Sequence, residues 1–223
     1  MAERHEEKYF ITYQQYAQLK ERAMQTMVPD VHGVGGSYRI TSLYYDDPMG
    51  NSLLEKLDGL AKHTKFRLRT YDCKRDMIRL ERKIKQGIMT QKKSAEITMP
   101  QLHWLGLPDY DLEKFEGAAF ELTAQMLSEG MRPAMTVRYQ RDAFLFPGTD
   151  LRLTFDRNLE ALPGEPQMLF RADVTGIPIL DDNTVIMEIK YGSYIPAFVR
   201  KLTDVPTKQL SISKYALCRE NTL

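Results

Sequence analysis

Across 223 residues the chain carries 31 Lys and Arg against 30 Asp and Glu, a formal net charge of +1, with 43% apolar and 27% charged residues. That balance excludes an intrinsically disordered polyelectrolyte and argues against a general nucleic-acid binder, which presents an uncompensated basic surface. No run approaches the ~20 apolar residues of a membrane span, and the opening MAERHEEKYF lacks the apolar core of a signal peptide, so a cytoplasmic protein is expected.

Cys73 and Cys218 lie far apart with no CxxC spacing, and His5, His32, His63 and His103 are scattered singly. Neither a disulfide framework nor a Cys- or His-based metal site is indicated. One large domain with a single core accounts for the length.

In chain order, EEKYFIT alternates as a first strand, and Thr12 is placed to cap a helix over residues 13–27 in which Tyr16, Leu19, Ala23 and Met27 recur at helical spacing. VPDVHGVGGS lacks the glycine order of a phosphate loop and is read as a linker. YRITSLYYDD follows as a strand with Ser42, Tyr44 and Asp46 on one face, then a short helix over GNSLLEKLDG stopped by Gly59.

The stretch from Lys62 to Lys93 concentrates the cations: twelve Lys or Arg against Asp72, Asp76 and Glu81, a surplus of nine in 32 residues. It reads as two long strands joined by a turn at CKRD. Side chains two apart share a face, so Lys65, Arg67 and Arg69 line one side while Phe66, Leu68 and Thr70 line the other. In the returning strand Arg79, Glu81, Lys83 and Lys85 share a face, opposite Ile78, Leu80 and Ile84. A charged strand face is ordinarily solvated. Glu81, set among cations as if to hold a metal or anchor a lysine, and the same mixture in later strands point instead to an enclosed polar space.

Residues 99–131 hold six acids and one base at helical spacing, which predicts a helical insertion on the same sheet. AMTVRYQRDAFLF then carries Val137, Tyr139 and Arg141 in phase. LRLTFDRNL sets Arg152, Thr154 and Asp156 against Leu151, Leu153 and Phe155, MLFRADV is read as a shorter strand, and TVIMEIKYG pairs Glu188 with Lys190 opposite Met187 and Ile189. PAFVRKLTDV and SISKYALCREN are expected to be helical, with Lys214 in the first turn after a Ser cap. The whole predicts an α+β fold: a closed, eight-stranded antiparallel β-barrel with a polar bore and helices packed outside.

The succession EKYFIT, ITSLYYDD, KFRLRTY, RLERKIKQG, VRYQRDAF, LRLTFD, VIMEIKYG and SKYAL resembles the catalytic domain of the vacuolar transporter chaperone complex, the VTC-type polyphosphate polymerase domain of the triphosphate tunnel metalloenzymes. The resemblance runs from about Glu6 to Tyr215. It implies a tunnel in which the γ-phosphate of ATP is transferred to a growing polyphosphate chain with Mn²⁺ or Mg²⁺ assisting. By the same resemblance Lys8, Arg67, Arg69, Lys83, Arg141, Arg152 and Lys214 are the tunnel cations. Lys65, Lys92, Lys190 and Tyr139 stand beside them as substrate-binding residues. Glu188 is the implied metal ligand, with Glu6 and Glu81 as weaker candidates.

This chain departs from the hydrolytic branch, which opens ExExK, because it has Arg4, Glu6 and Lys8. Neither an SPX domain nor membrane helices occur in these 223 residues, so delivering product across a membrane would require a membrane-associated partner. A tunnel triphosphatase acting on tripolyphosphate or nucleoside triphosphates, and a non-catalytic polyphosphate-binding module, are the alternatives.

Overall fold

The computed structural model describes residues 5–57, 62–87, 89–107, 109–192, 194–203 and 208–222. Arg4 and the expected helix stop at Gly59 lie outside them. The strands are β1 (His5–Thr12), β2 (Val28–Pro29), β3 (Ser37–Asp46), β4 (Lys62–Tyr71), β5 (Ile78–Gln86), β6 (Met89–Ile97), β7 (Arg132–Leu145), β8 (Arg152–Leu162), β9 (Ile177–Pro178) and β10 (Thr184–Tyr191). The helices are α1 (Tyr13–Thr26), α2 (Asn51–Leu57), α3 (Met99–Leu105), α4 (Gly117–Ser128), α5 (Ala197–Leu202) and α6 (Lys214–Glu220).

The strands hydrogen-bond in the order β1-β10-β8-β7-β3-β4-β5-β6, with β2 on β7 and β9 on β8. The fold is therefore the expected antiparallel α+β arrangement. It has ten strands rather than eight, and its ladder is an open path among the described residues rather than a closed cylinder. Three further expectations are corrected. The basic stretch makes a third strand, β6, after Gly87 turns the chain at a φ of 58°. Residues 168–174, expected as a short strand, are instead the end of a 3₁₀ turn begun at Pro166 and the turns that follow it. The glycine-rich linker contributes β2 to the sheet.

Two compact units divide the chain, one of residues 1–39, 139–159 and 178–212, the other of residues 40–138, 160–177 and 213–223. In the first, Ile11, Leu153, Phe155, Met187 and Ile189 pack beneath Tyr16, Leu19 and Ala23 of α1. Thr12 starts that helix with a capping box, accepting from the Gln15 backbone N–H while the Gln15 side chain accepts from Thr12 N–H.

In the second unit, Leu43, Phe66, Leu68, Ile78 and Leu80 pack on Leu102 and Leu105 of α3 and Leu122 and Met126 of α4. Each such side chain contributes about 1.5–3 kcal/mol when fully buried. The β4–β5 turn uses positive φ at Asp72 (49°) and Cys73 (57°), with Lys74 N–H donating to the Tyr71 carbonyl at 2.9 Å. Committing these apolar faces to the helices turns most charged residues of β3–β6 to the opposite side; the exceptions are the register partners Arg82 and Lys93, which lie on the helix side and reach Gln125 and Glu121 of α4.

Candidate functional site

On the polar side of β3–β6 the register sets side chains in rows across the strands. One row is Lys65, Lys83 and Lys92 on β4, β5 and β6. The next is Tyr44, Arg67, Glu81 and Ser94, and the one after it Ser42, Arg69, Arg79 and Glu96. Three lysines abreast, and Arg69 directly opposite Arg79, are like-charge pairings that destabilise a sheet. A face built this way is stabilised by an added anion.

Glu81 is the counter-ion inside this face, only 2% exposed. Arg67 donates to its Oε2 from Nε at 2.7 Å, with Nη2 in an ion pair 2.7 Å from the same oxygen, and Lys92 pairs with its Oε1. Burial alone would raise the Glu81 pKa, but the charges of Arg67 and Arg69 and the bond from Lys92 hold it well below the usual carboxylate range. Both carboxylate oxygens are occupied by cations, so Glu81 anchors Arg67 and Lys92 and is not disposed as a metal ligand.

Arg69 donates from Nε to Ser42 Oγ at 3.1 Å, which leaves the far edge of its fork to other acceptors. Lys65 Nζ donates to Ser213 Oγ at 2.9 Å and lies 5.8 Å from the centroid of the Tyr215 ring. Ser213 caps α6 by accepting from Ala216 N–H at 3.3 Å, which fixes the backbone at Lys214, the first helical residue. Lys214 is half-buried, as is Lys83.

Tyr44 belongs to this cluster and was not among the sequence candidates. Its hydroxyl accepts from Arg67 Nη1 at 3.1 Å, and its ring stacks on Tyr215 at 5.0 Å. Burial pushes the phenol pKa up, yet the Arg67, Arg69 and Lys65 charges more than reverse this and bring it to about 8. The strand alternation that groups Ser42, Tyr44 and Asp46 was the available signal.

The other unit carries a second cluster. Across β1, β10 and β8 the rows are Glu6, Lys190 and Arg152, then Lys8, Glu188 and Thr154. Acid meets base at Glu6–Lys190 and Lys8–Glu188, while Lys190 and Arg152 are a like-charge pair. Lys8 Nζ lies 2.7 Å from Glu6 Oε1 and donates to the Ile212 carbonyl at 3.1 Å. Lys190 Nζ lies 2.6 Å from Glu188 Oε1; desolvation lowers the Lys190 pKa, and the Glu188 and Glu6 charges oppose that shift.

Arg141 grips Asp156 with two parallel hydrogen bonds of 2.6 and 2.7 Å, stands 3.9 Å from Glu188 and lies over the Tyr139 ring at 5.4 Å. Arg152 donates from Nη2 to Asp30 Oδ2 at 2.5 Å and to the Tyr38 hydroxyl at 2.7 Å. Both arginines are thus already bound to carboxylates, as Arg67 is to Glu81. Asp30 lies in the glycine-rich segment, 122 residues from Arg152, and nothing local in the sequence announces it.

The full-length fit is to the VTC domain model, which matches residues 3–222. The chain belongs to the VTC domain family. No curated protein gives a significant match in sequence. Among solved structures, this VTC domain is similar to the PH1819 protein of Pyrococcus horikoshii OT3, with 12% identity, a TM-score of 0.51 and coverage of 97% of this chain and 96% of that one. It is also similar to a Bacillus halodurans protein titled "putative adenylate cyclase", with 12% identity, a TM-score of 0.49 and coverage of 93% and 94%. At this identity the first likeness shows a shared fold.

Among the described residues no three His, Cys, Asp or Glu side chains come together as a metal cage. Mg²⁺ is commonly held by one or two carboxylates together with substrate phosphates, and Mn²⁺ suits the same oxygen donors. Glu188, paired with Lys190 through Oε1 and with Arg141 only at 3.9 Å from Oε2, and Glu6, paired with Lys8, fit that arrangement better than an acid held closely through both oxygens. Glu81 does not.

Proposed function

We propose that this VTC domain is a metal-assisted phosphoryl-transfer enzyme that binds a linear polyphosphate or triphosphate and moves the γ-phosphate of ATP onto a polyphosphate chain. Membership of the VTC family supports triphosphate handling. The observation that carries the reading is the row of Lys65, Lys83 and Lys92 beside Arg67 and Arg69, with Glu81 as the one carboxylate at its centre. A sheet face that places like charges abreast is suited to an elongated anion carrying several charges in a line.

Arg69 presents the far edge of a planar fork that matches the non-bridging oxygens of a phosphate, Arg67 adds its charge from between Glu81 and Tyr44, and Lys65, Lys83 and Lys92 act as rotatable point charges along the chain. Phosphoryl transfer requires positioning and neutralisation of charge rather than a protein nucleophile. In the other unit, Glu188 and Glu6 would be the residues to hold a divalent ion, and the chemistry it would supply is neutralisation of phosphate charge.

Transfer is favoured over hydrolysis by the state of the acids. A hydrolase needs a base to activate water. Glu81, Glu188, Glu6 and Asp156 are each paired with a cation, and Glu81 is pushed far from the range of a useful base. The terminal oxygen of a polyphosphate chain is already anionic and needs no such base. Incubating the protein with ATP and Mn²⁺ and separating products on a gel tests this. Long chains are expected; free phosphate without chains would assign the triphosphatase activity instead, and no turnover with tight polyphosphate binding would assign a binding module.

A further inference from the structure

Tyr44 sits where a neutral acceptor and an anion would have opposite effects on the same guanidinium. Arg67 is held from two sides: Nε and Nη2 on Glu81, and Nη1 on the Tyr44 hydroxyl. The Tyr44 ring cannot swing aside without losing its stack on Tyr215, whose own hydroxyl donates to Asp46 Oδ2 at 2.6 Å. Asp46 in turn accepts from Ser52 N–H at 2.8 Å, which ties the stack to the start of α2. Tyr44 is 8% exposed, so the hydroxyl is fixed in place rather than solvated freely.

We propose that Tyr44 is the positioning residue of the Arg67 clamp: as a phenol it fixes the guanidinium without competing for it, and as a phenolate it displaces the polyanion from it. This rests on the polyanion-binding reading above and adds an alkaline limit to it. The charged groups facing the hydroxyl are Arg67, Arg69 and Lys65 from β4. Glu81 of β5 reaches it only through Arg67. Asp46 on its own strand is occupied by Tyr215 of α6. Three cations around one phenol bring its ionisation to about 8, against about 10 for a free tyrosine.

The sign follows from linkage. A bound polyanion disfavours the phenolate and raises the pKa of Tyr44 in the complex. Affinity is therefore full below about pH 8 and falls above it, toward about tenfold per pH unit while only the free protein is ionised.

The test is calorimetric titration of the full chain with inorganic tripolyphosphate from pH 7 to pH 9.5, for the wild type and Tyr44→Phe, with near-ultraviolet phenolate absorbance read on the same samples. The substitution keeps the ring stack and removes the hydroxyl. The expected result is a wild-type affinity that declines above about pH 8, a Tyr44→Phe affinity about threefold weaker at pH 7 but free of that decline, and one phenolate fewer titrating near pH 8 in the variant. A merely structural Tyr44 would change affinity equally at every pH. An alkaline decline that persists in Tyr44→Phe overturns the inference while leaving polyanion binding intact. Absence of wild-type binding at pH 7 overturns the polyanion reading itself.

Discussion

Arg67 and Glu81 are register partners on β4 and β5, and a hydrogen bond from Nε and an ion-pair contact from Nη2, each of 2.7 Å, join the guanidinium to a single carboxylate oxygen. The other oxygen of Glu81 holds Lys92. One buried acid thus fixes two of the cations that the polyanion reading requires, and the consequences are separable by mutation.

Replacing Glu81 with Gln leaves Arg67 and Lys92 without their counter-ion. Breaking a buried pair costs about 3–5 kcal/mol, and the partial exposure of both cations reduces this, so a loss of about 2 kcal/mol is expected by denaturant unfolding. The folded pKa of Glu81 lies below its unfolded value of about 4.3, so its contribution is present above that pH and is lost as the pH falls through the acid range. Wild-type stability should therefore drop more steeply than that of Glu81→Gln as pH falls from about 5.

Lys83 stands between Lys65 and Lys92, and the balance there runs the other way. Lys83→Gln is expected to stabilise the ligand-free protein by about 0.5 kcal/mol while weakening tripolyphosphate binding about tenfold. Arg69→Gln should weaken tripolyphosphate binding likewise but without the gain in stability, because the Arg69 charge helps hold Glu81 ionised and its Nε bonds Ser42. Thermal unfolding with and without tripolyphosphate reads both effects on one sample.

Much of this face was legible in the sequence. Phase alone grouped Lys65 with Arg67 and Arg69, and Glu81 with Lys83, because apolar alternation fixes which side is buried. Lys92 was the uncertain member, because the short connection at Gly87 before its strand is too weak a signal to set register. The pairings of Arg152 with Asp30 and Arg141 with Asp156 were not legible, since they depend on strands brought together from distant parts of the chain. Strand count likewise escaped, because β2 and β9 are two residues each and carry no period.

Asp156 and Glu188 both face Arg141 but should respond differently to mutation. Arg141 and Asp156 are buried together, so Asp156→Ala is expected to cost about 3–5 kcal/mol by leaving the guanidinium unpaired. Glu188→Gln should cost under about 1 kcal/mol, because Arg141 keeps Asp156 and Lys190 can turn to solvent. Its expected signature is loss of metal-dependent ATP turnover, read as a flat Mn²⁺ titration.

The cysteines offer a check on packing independent of any ligand. Burial pushes the Cys218 thiol up to about 12, and it is fully enclosed on α6, whereas Cys73 is half-exposed in the β4–β5 turn. Alkylation at pH 8 should label Cys73 and leave Cys218 unmodified until the protein unfolds, as read by peptide mass.

The central claim is that the polar side of β3–β6 grips a polyanion. A crystal structure of the protein soaked with tripolyphosphate tests it most directly. The account predicts phosphate oxygens within hydrogen-bonding distance of Arg67, Arg69 and Lys83, with the Arg67–Glu81 pair intact beneath them. Tripolyphosphate bound elsewhere, with those three cations facing only solvent, would contradict it.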